Sequence, residues 1–277
     1  MIHVHHYTLG DREGALLEVD GGYCDVHPWP ELGDLPLFKQ LNLLKEGTLT
    51  PLTKQSLEFA RLDAAARKKG RGLLEGVTVP QSHFLIKKLD QDTINLVHQA
   101  FDEGFRTFKV KLGKDLPKEI TLIKPLLELP QTRWRLDFNG SLCQEFLNAD
   151  LNFDAIEFCE DPGLDEFPLP VAWDREEVSH YQYRIVKPAV DDWRSMRTNK
   201  PLIFTTYLGH PLGQVADAYA AGVFQCKEVC GLLSHRVYAP NAFSECLSWS
   251  GPEWRSPEGT GFGFDHLLEG LSWQSLT

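Results

Sequence analysis

The chain has 277 residues, of which 42% are hydrophobic and 24% are charged, and its formal net charge is -11. This composition is typical of a folded globular protein, and the length is enough to bury a large core. The acidic balance argues against nucleic acid as a partner, because phosphate binding depends on clustered Lys and Arg. No apolar run approaches the roughly 20 residues that a membrane-spanning helix needs.

The start of the chain and its cysteines indicate a compartment. Residues 1–6 lack the basic and apolar stretches of a secretory signal. Six cysteines are too few over this length for a disulfide scaffold. We therefore expect a cytoplasmic protein with reduced thiols, whose partner is a small molecule rather than a nucleic acid or a membrane.

The first 75 residues predict a small α+β unit. A hairpin of two strands, a loop rich in Gly and Pro, and two helices follow one another at residues 2–9, 14–19, 21–30, 36–45 and 51–69. Thr50 supplies an N-cap for the second helix, and Pro51 fits its first turn. The unit is too small to hold a core of its own, so we expect it to rest on another part of the chain.

Strands and helices alternate from about residue 76 onward. Strands are expected at residues 105–112, 133–138, 154–159, 169–173, 183–187, 201–206 and 223–227, with helices at 92–104, from 117, and at 212–221. This alternation predicts a parallel sheet covered by helices, and seven or eight such units close a barrel. Only 13 residues separate Asp174 from Lys187, which is short for a helical crossover. Either that part of the barrel is trimmed or one strand there is wrongly assigned.

Lys109 and Lys111 share one face of a predicted strand, because side chains alternate along a strand. Their neighbours are apolar, so we expect an internal strand with both lysines pointing into the barrel. Two adjacent buried ammonium groups lower the pKa of at least one, and a neutral lysine can remove a proton from carbon. The competing interpretation is an exposed edge strand, for which residues 105–112 are too apolar.

Three acids, Asp137, Glu160 and Asp174, end three consecutive predicted strands. Taken singly, each is better explained as a helix N-cap or a surface acid. Together they lie where barrel active sites form, and three carboxylates suit Mg²⁺ better than zinc. Lys187 ends the next strand, just before Pro188; taken alone it is equally well explained as an exposed loop residue.

The order of these motifs resembles the enolase superfamily, and within it the family of o-succinylbenzoate synthases. The motifs are Lys109-Val110-Lys111, Leu136-Asp137-Phe138-Asn139, Glu160-Asp161-Pro162, Ala172-Trp173-Asp174 and Val186-Lys187-Pro188. Residues 204–213 are similar to a strand and helix of that family, and residues 261–265 to its closing segment. The resemblance covers roughly residues 76–270.

The resemblance implies an α/β fold with two parts. It implies a modified TIM barrel, (β/α)₇β, over residues 76–277. It also implies a small N-terminal α+β capping domain over residues 1–75, which the C-terminal segment could join. Trp29 lies in the Gly- and Pro-rich loop of this domain and is a candidate for packing on a substrate ring or for a structural Trp-Pro corner.

The same resemblance implies Mg²⁺ as cofactor, with Asp137, Glu160 and Asp174 as its ligands. The intervals on both sides of Asp174 are shorter than this family usually shows. Glu176 and Glu177 are therefore kept as alternative third ligands.

The implied activity is the dehydration of a small carboxylate, 2-succinyl-6-hydroxy-2,4-cyclohexadiene-1-carboxylate, to o-succinylbenzoate in menaquinone biosynthesis. Lys111 would remove the α-proton and then act as the acid that expels hydroxide. Lys187 would stabilise the enediolate from the opposite face, and Lys109 would tune Lys111. The expected substrate-binding residues are Asn139, Thr205, Thr206 and Gly209.

Two other functions fit parts of this pattern. An N-acylamino acid racemase or another epimerase of the same superfamily would also use two opposed lysines. Dipeptide epimerases usually carry a late Asp-x-Asp pair, and residues 223–227 have none, which favours a substrate without an amine. A non-catalytic barrel that binds a ligand is the remaining alternative, and the retained charged residues argue against it.

Overall fold

The computed structural model describes residues 1–141, 144–164, 167–174, 180–255 and 257–276. The N-terminal unit consists of β1 (Ile2–Leu9), β2 (Arg12–Val19), β3 (Gly22–Val26), α1 (Leu37–Lys45) and α2 (Pro51–Arg67). The predicted hairpin and both helices are confirmed. Thr50 caps α2 as predicted, because its hydroxyl accepts from the Thr53 backbone N–H.

Strand β3 is a correction, since we expected residues 21–30 to form a loop. It pairs antiparallel with β2 and packs against α2. A side chain at Gly22 would lie 2.0 Å from the carbonyl oxygen of Ala60 in α2. This glycine therefore permits close packing of a strand on a helix, whereas from the sequence we expected it in a Gly- and Pro-rich loop.

The second unit is the predicted parallel sheet with covering helices. Its strands are β4 (Phe84–Ile86), β5 (Thr107–Lys111), β6 (Arg133–Asp137), β7 (Ile156–Glu160), β8 (Val171–Trp173), β9 (Tyr183–Val186) and β10 (Leu202–Phe204). The helices between and after them are α3 (Gln91–Asp102), α4 (Leu116–Leu127), α5 (Gln144–Leu147) and α6 (Pro211–Val223). The seven strands neighbour one another in chain order, each parallel to the next.

Two residues close this sheet into a barrel. Cys230 bridges to Ser82, just before β4, and Gly231 bridges to Thr205, just after β10. The Gly231 N–H donates to the Phe204 carbonyl over 2.8 Å. The eighth position of the barrel is thus filled by a very short extended segment, and the predicted modified TIM barrel is confirmed.

The strand predicted at residues 223–227 is wrong. Helix α6 continues to Val223, and the chain then turns at Gln225, which has a φ of +56°. The Phe224 ring packs on Phe204, with centroids 5.2 Å apart. A short apolar run fits a helix end as well as a strand, and periodicity alone does not separate the two.

Strands β8 and β9 are both correctly assigned, so the short interval lies in the connection between them. They pair in parallel, with Ala172 opposite Tyr183. Residues 175–179 of their connection, including Glu176 and Glu177, lie outside the described residues.

The remaining elements are α7 (Ala242–Glu245), β11 (Ser248–Ser250), β12 (Glu253–Arg255), α8 (Asp265–Glu269) and β13 (Gln274–Ser275). Strand β13 pairs with β1, so the N-terminal antiparallel sheet has the order β13-β1-β2-β3. Among the described helices, none combines the length and apolar character needed to cross a membrane.

The N-terminal unit shares its hydrophobic core with the barrel, as expected for a unit of its size. Leu17 and Phe59 belong to the same buried cluster as Val215 of α6 and Phe262 of the C-terminal segment. A second cluster lies between the barrel strands and their outer helices and includes Val97, Ile123 and Trp134. Each such side chain contributes roughly 1.5–3 kcal/mol on burial. The N-terminal unit is therefore fixed on one end of the barrel.

Candidate active site

The charged residues singled out in the sequence meet at the carboxyl ends of the barrel strands. The parallel register places Lys111 beside Asp137 and Asp137 beside Glu160. Asp174 directly follows β8, and Lys187 directly follows β9. Together with Lys109, all of them line one cavity of about 270 Å³.

Lys109 lies at the centre of this group. Its Nζ is 2.7 and 2.6 Å from the two carboxylate oxygens of Glu160 and 3.1 Å from Oδ2 of Asp137. The three side chains are 10%, 3% and 4% exposed. Asp137 and Glu160 therefore converge on one buried positive charge.

Burial and charge work against each other in this group. Burial alone would lower the pKa of Lys109, but the charges of Asp137 and Glu160 outweigh it and raise that pKa. At Glu160 burial prevails: helped by the charges of Asp137 and Asp174 and opposed by Lys109, it raises the pKa of Glu160 to about 7. At Asp137 burial alone would raise the pKa, but the charges of Lys109 and Lys111 together outweigh it and lower the pKa. We expected one of the paired lysines to have a lowered pKa, and Lys109 is not that lysine.

Lys111 is the more open of the two lysines on β5. Its side chain is 41% exposed, and its Nζ is 3.8 Å from Oδ2 of Asp137. The Asp137 carboxylate thus contacts both ammonium groups and reduces their repulsion. The edge-strand interpretation is excluded, because β5 lies between β4 and β6.

Asp174 and Lys187 form an ion pair on the other side of the cavity, with side chains 9% and 17% exposed. Both backbones are held in place: the Asp174 N–H donates to Asp161, and the Lys187 N–H donates to Oδ2 of Asp191 over 2.7 Å. Lys187 lines the cavity, so it is not the exposed loop residue of the competing interpretation.

The donor set of the cavity suits a hard divalent cation, because it consists of carboxylate oxygens. Asp137 and Glu160 each place an oxygen within 3.1 Å of the same nitrogen, so one cation can touch both. No group of three His, Cys, Asp or Glu side chains in the described part of the chain is arranged to hold a metal. The ion pairs explain this, since Lys109 contacts two of the acids and Lys187 holds Asp174.

The predicted substrate-binding residues divide into two groups. Asn139, Thr205 and Thr206 line the cavity. Asn139 donates to Oδ1 of Asp137 over 2.8 Å, and Thr206 donates to Ser234. Within the described part of the chain, the buried Thr205 hydroxyl has no hydrogen-bond partner, so it is available to a ligand.

Gly209 is a correction, since it does not line this cavity. It packs instead on the N-terminal unit, where a side chain would lie 2.4 Å from Oδ2 of Asp25 and 3.0 Å from Cβ of His27. The glycine is needed for close contact between the two units rather than for a ligand.

The comparisons with known proteins agree with this site. Residues 2–66 match the family model described as O-succinylbenzoate synthase, N-terminal domain. Over 307 aligned residues, covering 96% of this chain and 92% of the relative, the chain is 33% identical to an o-succinylbenzoate synthase of Bdellovibrio bacteriovorus. The chain belongs to the o-succinylbenzoate synthase family. It is therefore an enzyme of the carbon–oxygen lyase class, a dehydratase, and the non-catalytic alternative is not supported.

Solved structures share the fold of this o-succinylbenzoate synthase family member. A muconate lactonizing enzyme of Mycobacterium smegmatis has a TM-score of 0.76 at 14% identity, with 98% of each chain covered. A dipeptide epimerase of Methylococcus capsulatus, in complex with a Mg ion, has a TM-score of 0.72 at 17% identity, covering 95% of this chain and 97% of that one. These two likenesses concern the fold alone.

The cavity is also lined by His83, which the sequence analysis missed. His83 precedes β4, and its Nδ1 lies 3.0 Å from a guanidinium nitrogen of Arg135. Burial first, and then the charges of Arg135 and Lys109, hold the pKa of His83 well below its usual range. Arg135 is buried beside His83 and does not itself line the cavity; it could have been found, because it lies two residues before Asp137 on β6. No local signal marks His83.

The N-terminal unit supplies a second set of missed residues. Arg12, Glu31 and Leu32 line the cavity together with Trp29. The loop that carries Trp29 is tied to the barrel by Asp34. Its Oδ2 accepts hydrogen bonds from the Trp29 N–H and from the Tyr207 hydroxyl, each over 2.8 Å. The unit thus covers the strand ends and supplies one wall of the site.

Proposed function

We propose that this enzyme converts 2-succinyl-6-hydroxy-2,4-cyclohexadiene-1-carboxylate into o-succinylbenzoate, with Mg²⁺, in menaquinone biosynthesis in the cytoplasm. Family membership supports this reaction, and the five cysteines that the structure describes as free thiols suit a reducing compartment. The observation that carries the proposal is the placement of Lys111 and Lys187. With the Cys230–Gly231 segment as the eighth position, their strands β5 and β9 are four positions apart, on opposite sides of the barrel.

The two lysines divide the chemistry. Neutral Lys111 takes the proton from the carbon next to the substrate carboxylate and becomes an ammonium group. Lys187, facing it across the cavity, stabilises the negative charge of the resulting enediolate. The Lys111 ammonium then returns its proton to the departing hydroxyl, which leaves as water, and the ring becomes aromatic.

The acids hold the cofactor and the lysines in place. Asp137, Glu160 and Asp174 would hold Mg²⁺, which when bound supplies Lewis acidity towards the substrate carboxylate. Lys109 is a positioning residue in this scheme, because it contacts Glu160 and Asp137 and does not need to touch the substrate.

The test is the loss of ultraviolet absorbance of the cyclohexadiene substrate, with Mg²⁺, for the parent and for Lys111→Ala and Lys187→Ala. Turnover by the parent alone supports the proposal, and each variant should lose about 10²-fold or more. Lys124→Ala is the control, since that lysine forms an exposed pair with Asp150 on the outside of the barrel. Unchanged turnover in Lys111→Ala would refute the assignment of Lys111 as the base. Full activity after chelation of the metal would refute the requirement for Mg²⁺.

Racemisation of an N-acylamino acid is the second candidate, because lysines on opposite sides of a substrate also suit that reaction. Incubation with an N-succinyl amino acid in deuterated water separates the two activities. Exchange at the α-carbon without dehydration of the cyclohexadiene substrate would favour the racemase.

A further inference from the structure

The cavity contains one cation from the N-terminal unit, and its surroundings differ from those of the barrel lysines. Lys109 and Lys187 each have a buried carboxylate partner. Arg12 lines the same cavity, but its partner Glu31 has a side chain that is 62% exposed. An exposed ion pair contributes little to stability, so Glu31 can leave Arg12 for water at small cost.

The Arg12 guanidinium is already arranged for a carboxylate. Its Nη1 and Nη2 each lie 2.9 Å from one oxygen of Glu31, a two-pronged contact. Its Cζ lies 3.8 Å from the centroid of the Trp29 ring, which holds the plane of the guanidinium in place. Planar, bidentate recognition of this kind is what distinguishes Arg from Lys as a carboxylate receptor.

The position of this receptor relative to the barrel is fixed. Asp34 accepts hydrogen bonds both from the Trp29 backbone and from Tyr207, which follows β10. In the described residues, the buried Nε1 of Trp29 has no hydrogen-bond partner. Because Asp34 ties the Trp29 backbone to Tyr207, Arg12 and Trp29 already stand in the cavity wall where a ligand can reach them.

We propose that Arg12 binds the second carboxylate of the substrate, the one at the end of its succinyl chain, and that Glu31 occupies this position until the substrate displaces it. This inference rests on the proposed function, because it assumes a dicarboxylate substrate. The lysines and acids at the strand ends act on the ring carboxylate. Arg12 thus selects a substrate whose succinyl chain is long enough to reach it and carries a second negative charge. Glu31 weakens substrate binding, because it competes for the same guanidinium.

The test measures binding, so that it does not depend on turnover. Mg²⁺-loaded protein is titrated in a calorimeter with o-succinylbenzoate and with its amide, in which the succinyl carboxylate is neutral. Arg12→Met should raise the Kd for o-succinylbenzoate at least tenfold and leave the Kd for the amide unchanged. Glu31→Gln should lower the Kd for o-succinylbenzoate several-fold, and it keeps Arg12 in place.

Arg61→Met is the matched control, because Arg61 forms an exposed pair with Glu58 on α2. Its two Kd values should equal those of the parent. If Arg12→Met weakens both ligands alike or neither, or if Glu31→Gln weakens binding of o-succinylbenzoate, the inference is wrong. Unchanged affinity in Arg12→Met with normal turnover by the parent refutes the role of Arg12 and leaves the proposed function standing. A parent that neither binds o-succinylbenzoate nor turns over the substrate contradicts both.

Discussion

The ammonium group of Lys109 lies between the two carboxylate oxygens of Glu160, at 2.6 and 2.7 Å, inside the barrel. Asp137 approaches the same nitrogen to 3.1 Å. Two acids thus share one buried counter-charge, and neither would remain ionised there at low cost without it. This arrangement links the stability of the barrel to its proposed metal chemistry.

Lys109→Met should destabilise the protein in the absence of metal, because two buried carboxylates are left without a counter-charge. The expected loss is about 3–5 kcal/mol of unfolding free energy. Added Mg²⁺ should recover more stability in the variant than in the parent, since a cation that binds the folded state stabilises it. Urea unfolding with and without Mg²⁺ measures both effects. Lys124→Met, which breaks an exposed pair, should show neither.

The stability of the contact between the two units should depend on pH through Asp25. Burial raises the pKa of Asp25 to about 7, although the Tyr7 hydroxyl and the His210 backbone N–H favour the ionised form. Because this pKa exceeds the ordinary value of 3.8, the folded state binds the proton more tightly. The resulting stability is fully present below about pH 4 and is lost as pH rises through 7, by up to roughly 1.4 kcal/mol per pH unit.

The comparison that isolates this effect is urea unfolding of the parent and of Asp25→Asn at several pH values between 5 and 8. The variant cannot ionise at this position, so its stability should fall less steeply across the range. Burial lowers the pKa of the neighbouring His27 and His210 to about 4 and about 3, but both remain in the variant and their contribution cancels. Parallel curves for the two proteins would rule out this role for Asp25.

Gly213→Ala should destabilise the protein although it lies in a helix. Alanine normally favours a helix over glycine by up to about 1 kcal/mol. Here the added Cβ would lie 2.5 Å from Oδ2 of Asp25, a group already held by Tyr7 and His210. We expect a net loss of roughly 1–3 kcal/mol in thermal or urea unfolding. Gly270→Ala, whose Cβ would meet its nearest atom at 3.5 Å, should be close to neutral.

Tyr207→Phe should weaken substrate binding more than the chemical step. It removes the hydroxyl that ties Asp34, and through it the Trp29 loop, to the barrel. A hydrogen bond of this kind contributes about 0.5–1.5 kcal/mol, so we expect KM to rise up to about tenfold while kcat changes little. Steady-state kinetics measure the two constants. A fall in kcat at constant KM would contradict this role, and Tyr219→Phe, on α6, is the control.

Much of the barrel was predictable because its signals are local. Short apolar runs mark its strands, and in the N-terminal unit Thr50-Pro51 likewise marks the start of α2. The charged residues were predictable for a related reason: the carboxyl ends of parallel strands meet at one edge, so Lys111, Asp137 and Glu160 had to come together.

The strand wrongly predicted at residues 223–227 reflects a local ambiguity, whereas the other errors and omissions involve contacts between distant parts of the chain. Gly209 was expected to bind substrate because residues 204–213 resemble the family, whereas in the structure its neighbour is Asp25 on β3. Arg12 and Glu31 carry no motif, and only the packing of the N-terminal unit on the barrel brings them to the cavity. Barrel closure by Cys230 likewise depends on a bridge to Ser82, which no local pattern shows.

The pairing of β1 with β13 affects how the nascent chain folds. Strand β1 is synthesised before β13, so one of its edges stays unpaired until residues 274–275 have been made. Such an edge can pair with other chains, and a pause in translation before β13 would prolong its exposure. The whole barrel must therefore be synthesised before the sheet that covers it can be completed.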